Sequence, residues 1–267
     1  MKIGEIRCKG ILGKSGIDGM DYAVNPYLGC SHACAYCYAR FMRRMGHPGE
    51  RWGGFVDVKV NAVDVLKSEA ARRPRGRVMM SSVTDAYQPL DRKHQLTRRC
   101  LEVLLEHGYG VDILTKSDLV TRYLDLFKKF DDVEVGLTIT CLDDGVRMAF
   151  EPGASPVKAR LDTLKLLSEE GIPTYAFLGP MLPYLSDEHL DELLNTLADR
   201  VGRLLVDRLN IKCGNMPDVR RILDIYYPDL KPMFEAALIP ESEYYANLKT
   251  KVIRLCRDRA IPLTVIY

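Results

Sequence analysis

Residues 110–130 read GVDILTKSDLVTRYLDLFKKF, a short β-rich run followed at once by a longer helical one. Ser117 stands between the two, where its hydroxyl can cap a helix over 118–130 by accepting one of the first-turn N–H groups. The unit recurs. Candidate strands are DYAVNPY, RVMMSSV, GVDILTK, VEVGLTIT, PTYAFLGP and LLVDRLNIK, each leading into a helical stretch. One helix is predicted over 91–107, with Leu96, Cys100, Val103 and Leu104 at helical spacing and a stop at Gly108. Ser155-Pro156 opens another over 157–170, which ends at Gly171, and Ser186-Asp187-Glu188 starts a third running towards Val201. Strands alternating with helices predict a parallel sheet, because parallel neighbours need a crossover connection. Six units are too few for an eightfold barrel. An open partial barrel or a doubly wound sheet is left, and both place ligand-binding groups at the carboxyl ends of the strands. The chain from Pro217 onward reads as helical, with a last β-rich run, PLTVIY, packed on the same body.

With 267 residues, 47% hydrophobic and 28% charged, the chain can bury one sizeable core, and no apolar run is long enough to cross a membrane. Its start, MKIGEIRCKGILGK, lacks the apolar stretch and cleavage site of a secretory signal, so a cytoplasmic location with reduced thiols and no membrane partner is expected. The net charge of +2 conceals an asymmetry: residues 1–100 hold 18 Lys and Arg against 9 Asp and Glu. Clusters at Arg40, Arg43, Arg44 and Arg51, at Arg72, Arg73, Arg75 and Arg77, and at Arg92, Lys93, Arg98 and Arg99 suit an anionic partner such as nucleic acid, or equally helix faces that meet solvent and neighbouring carboxylates.

Three of the eight cysteines crowd into GCSHACAYCYAR, residues 29–40, directly after the first candidate strand. Cys30, Cys34 and Cys37 have Cys-x3-Cys-x2-Cys spacing. Structural zinc wants four closed ligands; His32 is a candidate fourth but sits between two cysteines, where its reach is poor. A four-iron, four-sulfur cluster usually takes four thiolates, so three cysteines leave one iron open to another ligand. The spacing favours the cluster over zinc.

CSHACAYCY resembles the cluster loop of the radical S-adenosylmethionine (SAM) superfamily, and the stretch from Asn25 to Pro183 is similar to its spore photoproduct lyase-like subgroup, described as related to DNA repair photolyases. The likeness is carried by NPYLGCSHACAYCYAR, SSVTDAYQPLD, LTKSDLVTRYLDLF and VGLTITCLDDGVRMAFEPGASPVKARLDTLKLLSEEGIP. It implies an α/β fold, a partial (β/α)6 TIM-type barrel with parallel strands and C-terminal helical additions. As a single radical SAM domain over 1–267, it would comprise an N-terminal extension (1–20), a barrel core (21–212) and a mostly helical addition (213–267). The implied cofactors are a 4Fe–4S cluster, held by Cys30, Cys34 and Cys37, and SAM. An electron donor such as flavodoxin or ferredoxin reduces the cluster, which cleaves SAM to methionine and a 5′-deoxyadenosyl radical that takes hydrogen from a substrate, nucleic acid or a small molecule.

By position, Tyr36 matches an aromatic residue near the adenine. The segment Ser82–Asp85 matches the place where polar groups, Ser82, Thr84 and Asp85 here, meet the SAM amino group. Lys116 and Thr138 match groups that reach the SAM carboxylate, and Glu151 and Arg160 are candidates for supporting or ribose-side roles. Tyr38 matches a tyrosine proposed to relay hydrogen in the lyase. Ser82 stands where the lyase carries a hydrogen-donating cysteine, and a serine O–H bond is too strong to quench a carbon radical readily. Cys141 and Cys213, each at a strand's carboxyl end, are candidates to donate hydrogen or hold an intermediate; Cys100 and Cys256 read as core residues, and Cys8 has no evident partner. His47 and Trp52, on a Gly-rich loop, suit either a substrate lid or a packed anchor. A non-catalytic iron–sulfur protein that binds nucleic acid or passes electrons is the alternative reading. Thr84, Lys116 and Thr138 count against it, since an electron carrier needs no carboxylate-binding groups.

Overall fold

The computed structural model describes residues 1–267. Its strands are β1 (Lys2–Ile6), β2 (Leu12–Lys14), β3 (Tyr22–Val24), β4 (Tyr27–Leu28), β5 (Phe55–Lys59), β6 (Arg77–Met80), β7 (Gly110–Thr115), β8 (Val133–Thr138), β9 (Thr174–Met181), β10 (Arg203–Arg208) and β11 (Leu263–Val265). The helices are α1 (Ala62–Ala70), α2 (Asp91–His94), α3 (Leu96–Glu106), α4 (Leu124–Phe127), α5 (Asp144–Phe150), α6 (Val157–Glu169), α7 (Leu190–Leu197), α8 (Met216–Tyr226), α9 (Lys231–Ala236) and α10 (Tyr244–Arg257).

The larger sheet runs β11-β10-β9-β8-β7-β6-β3-β2, parallel throughout except where β2 meets β3. From β3 to β10 its strands lie in chain order. A doubly wound sheet reverses its order at a switch point; there is no reversal here, and the sheet is a partial (β/α)6 TIM-type barrel whose edges, β2 and β11, remain apart. Val111, Ile113, Val135, Leu137, Leu178, Leu204 and Val206 face outward into one apolar core with Leu101 and Leu104 of α3, Leu161 and Leu164 of α6, Leu193 of α7 and Val252 of α10.

Alternation turns the intervening residues into the lumen. At the amino ends these are charged: the Tyr175 hydroxyl donates to Asp112 (2.7 Å), Arg203 Nε to Glu134 (2.7 Å), and Arg77 to Glu134 (3.3 Å) and Asp132 (2.9 Å). Gly136 makes room for the Tyr175 ring, which lies 2.2 Å from where a Cβ would stand. This polar plug closes one end. Higher up, Leu114, Phe177 and Leu205 are only half-buried, so the lumen opens towards the carboxyl ends.

Several elements differ from the sequence expectation, each for a local reason. DYAVNPY is two strands, not one: Pro26 has no N–H for a ladder, and β4 turns away to pair antiparallel with β5 in a separate sheet, β1-β5-β4. The helix over 91–107 breaks at Gln95 (φ 49°), because the buried Asp91 carboxylate accepts from Thr97 N (3.0 Å) as well as from the Tyr123 (2.8 Å) and Tyr27 hydroxyls. After Ser117, which does accept from Leu119 N (3.3 Å), the first turns over 118–123 are 3-10, tightening into α4 only at Leu124. The helix expected from Ser186 starts at Leu190: Ser186 turns back to accept from Leu182 N (2.7 Å), and Asp187 is taken by the Tyr244 hydroxyl (2.6 Å). PLTVIY supplies β11, parallel to β10.

Candidate active site

The cysteine loop leaves β4 through Gly29, which has a φ of 86° and no room for a side chain, since a Cβ there would lie 2.4 Å from Phe55 O. Two other glycines cradle it. A Cβ on Gly53 would stand 2.2 Å from the Ala33 Cβ, and one on Gly153 2.2 Å from Ser31 O. Gly153 N donates to His32 O (3.0 Å), Ala35 N to Phe150 O (2.8 Å) and Ser31 N to the buried Gln88 Oε1 (2.9 Å), so the loop is pinned from two sides. Within it Cys30 and Cys34 are buried, Cys37 is half-buried, and all three are free thiols. Burial pushes the Cys30 thiol up to about 12, with Asp85 and Cys37 adding repulsion. Burial holds Cys34 well above the usual thiol range against the pull of Lys116, with Glu151, Cys37 and Cys30 adding repulsion. The three sulfurs therefore sit within electrostatic reach of one another. No set of three or more His, Cys, Asp and Glu side chains is gathered to hold one metal ion, whereas three thiols spread along one loop suit a cluster, which takes each sulfur on a different iron.

Beneath the loop lies a buried ion pair. Arg160 Nη2 meets Glu151 Oε2 with both side chains 1% exposed, and Arg160 also donates to Thr138 O (3.0 Å) and Ser155 O (2.8 Å). The other Glu151 oxygen accepts from the Thr140 and Tyr36 hydroxyls. Burial would raise the Glu151 carboxyl, but Arg160 and Lys116 hold it below the usual carboxylate range. Tyr36 is thus anchored by its hydroxyl, and its backbone oxygen accepts from the Asn215 amide (2.7 Å).

At the strand ends the expected SAM-side residues divide in two. Asp85 is fully engaged by the protein: Oδ1 accepts from Thr115 Oγ1 (2.7 Å) and Tyr87 N (2.9 Å), and Oδ2 from Lys116 N (2.9 Å), with His32 Nδ1 at 3.2 Å. Burial opposes its ionisation, yet His32, Lys116 and Thr115 hold the carboxyl well below its usual value. Ser82 accepts from the Asn25 amide (3.2 Å) through its hydroxyl and from the Tyr38 hydroxyl through its backbone. By contrast, the Thr84 hydroxyl is buried without a partner. Lys116 is half-buried at the end of β7 with its ammonium in no ion pair; burial would lower it, but Cys34, Glu151 and Asp85 hold it above its usual value. Thr138, on the lumen side of β8, is buried; its backbone oxygen accepts from Arg160, and its hydroxyl makes no hydrogen bond within the protein.

Cys141 is 2% exposed in an apolar cluster with Cys34, Tyr36 and Phe150, its thiol donating to Asp143 O (3.3 Å) and pushed by burial up to about 12. Cys213 is more open and close enough to Cys37 to raise it. Tyr38 is 48% exposed at the rim. His47 stacks on Phe55 (3.9 Å between centroids) and bonds Asp57 (2.8 Å), and Trp52 packs edge-on to the same ring, so both are packed anchors. Cys100 and Cys256 lie in the main core, and Cys8 is tied by its backbone to the Asn61 amide. Sequence reasoning passed over Asn215. It is fully buried, and with Arg40, which bonds Gly214 O (2.8 Å) and Asp218, it fastens the segment after β10 to the cysteine loop. Of the basic clusters, Arg40, Arg73, Arg77 and Arg98 are committed to carboxylates.

The family model described as the radical SAM superfamily matches residues 24–197. An uncharacterized protein of Methanocaldococcus jannaschii is 37% identical over 229 residues, which cover 86% of this chain and 85% of that protein. A radical SAM Nalpha-GlyT isomerase of Pseudomonas phage M6 is 25% identical over 176 residues, 65% of this chain but 36% of the isomerase. Among solved structures, spore photoproduct lyase with a dinucleoside spore photoproduct has a TM-score of 0.70 at 18% identity, covering 99% of this chain and 81% of the lyase.

Proposed function

This chain belongs to the radical SAM superfamily, and on that premise we propose that Cys30, Cys34 and Cys37 hold the 4Fe–4S cluster and that Thr84, Lys116 and Thr138 receive SAM. When bound, the pair supplies an electron to the sulfonium, reductive cleavage to methionine, and the radical that takes hydrogen from substrate. The observation that carries the assignment is the unpaired Lys116 ammonium beside three free thiols on one loop, two of them buried. A half-buried cation without a counterion suits a ligand carboxylate, and the buried Thr84 hydroxyl lacks the partner that such atoms ordinarily have. Asp85 acts by positioning: with its oxygens filled by Thr115, Tyr87 and Lys116 N, it holds the β6 and β7 ends together and keeps Lys116 aimed. Tyr36, fixed by Glu151 and Asn215, sets the loop between the second and third ligands. Burial around Cys34 excludes water from the reacting centre. Tyr38 at the rim and Cys213 beside Cys37 are the residues placed to meet substrate; Cys141, enclosed in the apolar cluster, supports the loop.

The substrate is a nucleic acid or a small molecule, and an electron donor such as flavodoxin or ferredoxin reduces the cluster. The lyase structure that resembles this fold holds a dinucleoside photoproduct, which favours testing nucleic acid first; its binding would weaken steeply with added salt. Anaerobic reconstitution with iron and sulfide, followed by dithionite and SAM, is expected to yield 5′-deoxyadenosine from the wild type and none from Cys34→Ala. Failure to assemble a cluster would overturn the ligand assignment. Wild-type turnover with a Lys116→Met variant of unchanged SAM affinity would remove Lys116 from the site.

A further inference from the structure

We propose that the cavity at the carboxyl end of β10 recognises an aliphatic amino-acid unit of the substrate, with Asp207 taking its ammonium and Arg208 and Lys212 its carboxylate. This rests on the reading above that the reaction takes place at the carboxyl face of the barrel. The cavity has a volume of about 560 Å³, ample for a group of this size. Its apolar wall is branched: Ile211, Ile239 and Ile266 are 39%, 53% and 55% exposed, an aliphatic surface left in water at one hollow.

The polar groups are placed as the complement of a zwitterion. Asp207 lies at the carboxyl end of β10, where the register with β9 shifts, and is half-buried. It forms no ion pair, and its carboxylate accepts only from Arg208 N (2.8 Å). Burial raises its pKa against the pull of the Arg208 backbone bond and charge. Arg208 and Lys212 likewise have no carboxylate partner; the Arg208 guanidinium rests 6.0 Å from the centre of the Tyr267 ring. One acceptor, two cations and a wall of isoleucines match an amino acid with a branched side chain.

The cavity is also coupled to the cysteine loop. Asn210, on its rim, accepts through its backbone oxygen from Cys213 Sγ (3.3 Å) and from the Asn215 amide (2.9 Å), and the same amide donates to Tyr36 O (2.7 Å), next to Cys37. A ligand in the cavity is thereby held in fixed register with the loop.

Calorimetric titration of the full chain with L-leucine, L-leucinamide and N-acetyl-L-leucine tests this. Leucine is expected to bind saturably, and the two analogues, each missing one charge, ~10-fold or more weakly, the scale of a lost charge-assisted hydrogen bond. Asp207→Asn should weaken leucine to a similar extent, and Asp258→Asn, on the far end of α10, should not. Equal binding of the three ligands, no saturable leucine binding, or thymidine monophosphate bound in leucine's place would each overturn the proposal. SAM cleavage is assayed on the same wild-type preparation: cleavage without leucine binding sinks this inference alone, and a full cluster with bound SAM that gives no cleavage, even with leucine present, sinks the reading beneath it.

Discussion

Glu151 is a carboxylate with 1% of its side chain exposed and both oxygens engaged, Oε2 by Arg160 and Oε1 by Thr140 and Tyr36. Removing one partner of such a pair strands the other charge in the interior, at a cost of ~3–5 kcal/mol, whereas replacing both by apolar groups of similar size is often neutral. Glu151→Gln is therefore expected to lower the unfolding free energy by about 3 kcal/mol in a urea titration, and adding Arg160→Met to recover part of it. Equal loss in the single and double variants would mean that the Arg160 bonds to Thr138 O and Ser155 O carry the stability instead. Residues of this kind were half legible. The cysteines were found by their spacing, and Lys116 and Thr84 by the family likeness of the stretches that hold them; that Asp85 is filled by Thr115, Tyr87 and Lys116 depends on contacts between strands that no local pattern encodes. Asn215 was hidden by its position: an asparagine just before Met-Pro and a helix reads as an ordinary cap, yet its side chain caps nothing and reaches Tyr36 O and Asn210 O.

At the scale of the element, the cysteine loop is a stretch of irregular backbone whose shape is imposed by its neighbours. Its composition announced the cluster, but the clamp comes from residues 150–153, more than a hundred positions later, and from Gly53. Gly153→Ala is the direct test, because its methyl would meet backbone at 2.2 Å from Ser31 O, which a rotamer change cannot relieve. We expect a stability loss of ~1–3 kcal/mol, the usual range for overpacking. After anaerobic reconstitution the iron content should fall well below the wild type's, while the far-ultraviolet circular dichroism is retained. Wild-type iron content would show that the loop is set by its own sequence. The same dependence on distant partners explains why β5 went unseen: FVDVK is a short run behind a Gly-rich loop, and its partners are β1, some fifty residues earlier, and β4, which sequence pattern had fused to β3.

For the molecule as a whole, a parallel sheet was legible because successive βα units need parallel crossovers, but that pattern left a doubly wound order open, and the barrel's chain order was implied only by the family likeness. What alternation could not reveal is how the barrel is closed below. The plug of Arg77, Asp112, Glu134, Tyr175 and Arg203 is drawn from five separate stretches, any of which alone reads as a strand with a stray charge. Asp112, buried at its centre, has a raised pKa, chiefly from burial and then from Glu134, against the pull of Tyr175, Arg77 and Arg203. A carboxyl whose folded pKa lies above its unfolded value, ~3.9, binds its proton more tightly in the native state. Its contribution to stability is complete below the unfolded value and is lost as pH rises through the folded one. Asp112→Asn abolishes that titration while keeping an acceptor for the Tyr175 hydroxyl. Unfolding free energies measured from pH 4 to pH 7 should therefore fall more steeply with pH for the wild type than for the variant. The opposite slope would show that Arg77 and Arg203, each about a third exposed, overcome the burial and make the plug a net source of stability at neutral pH.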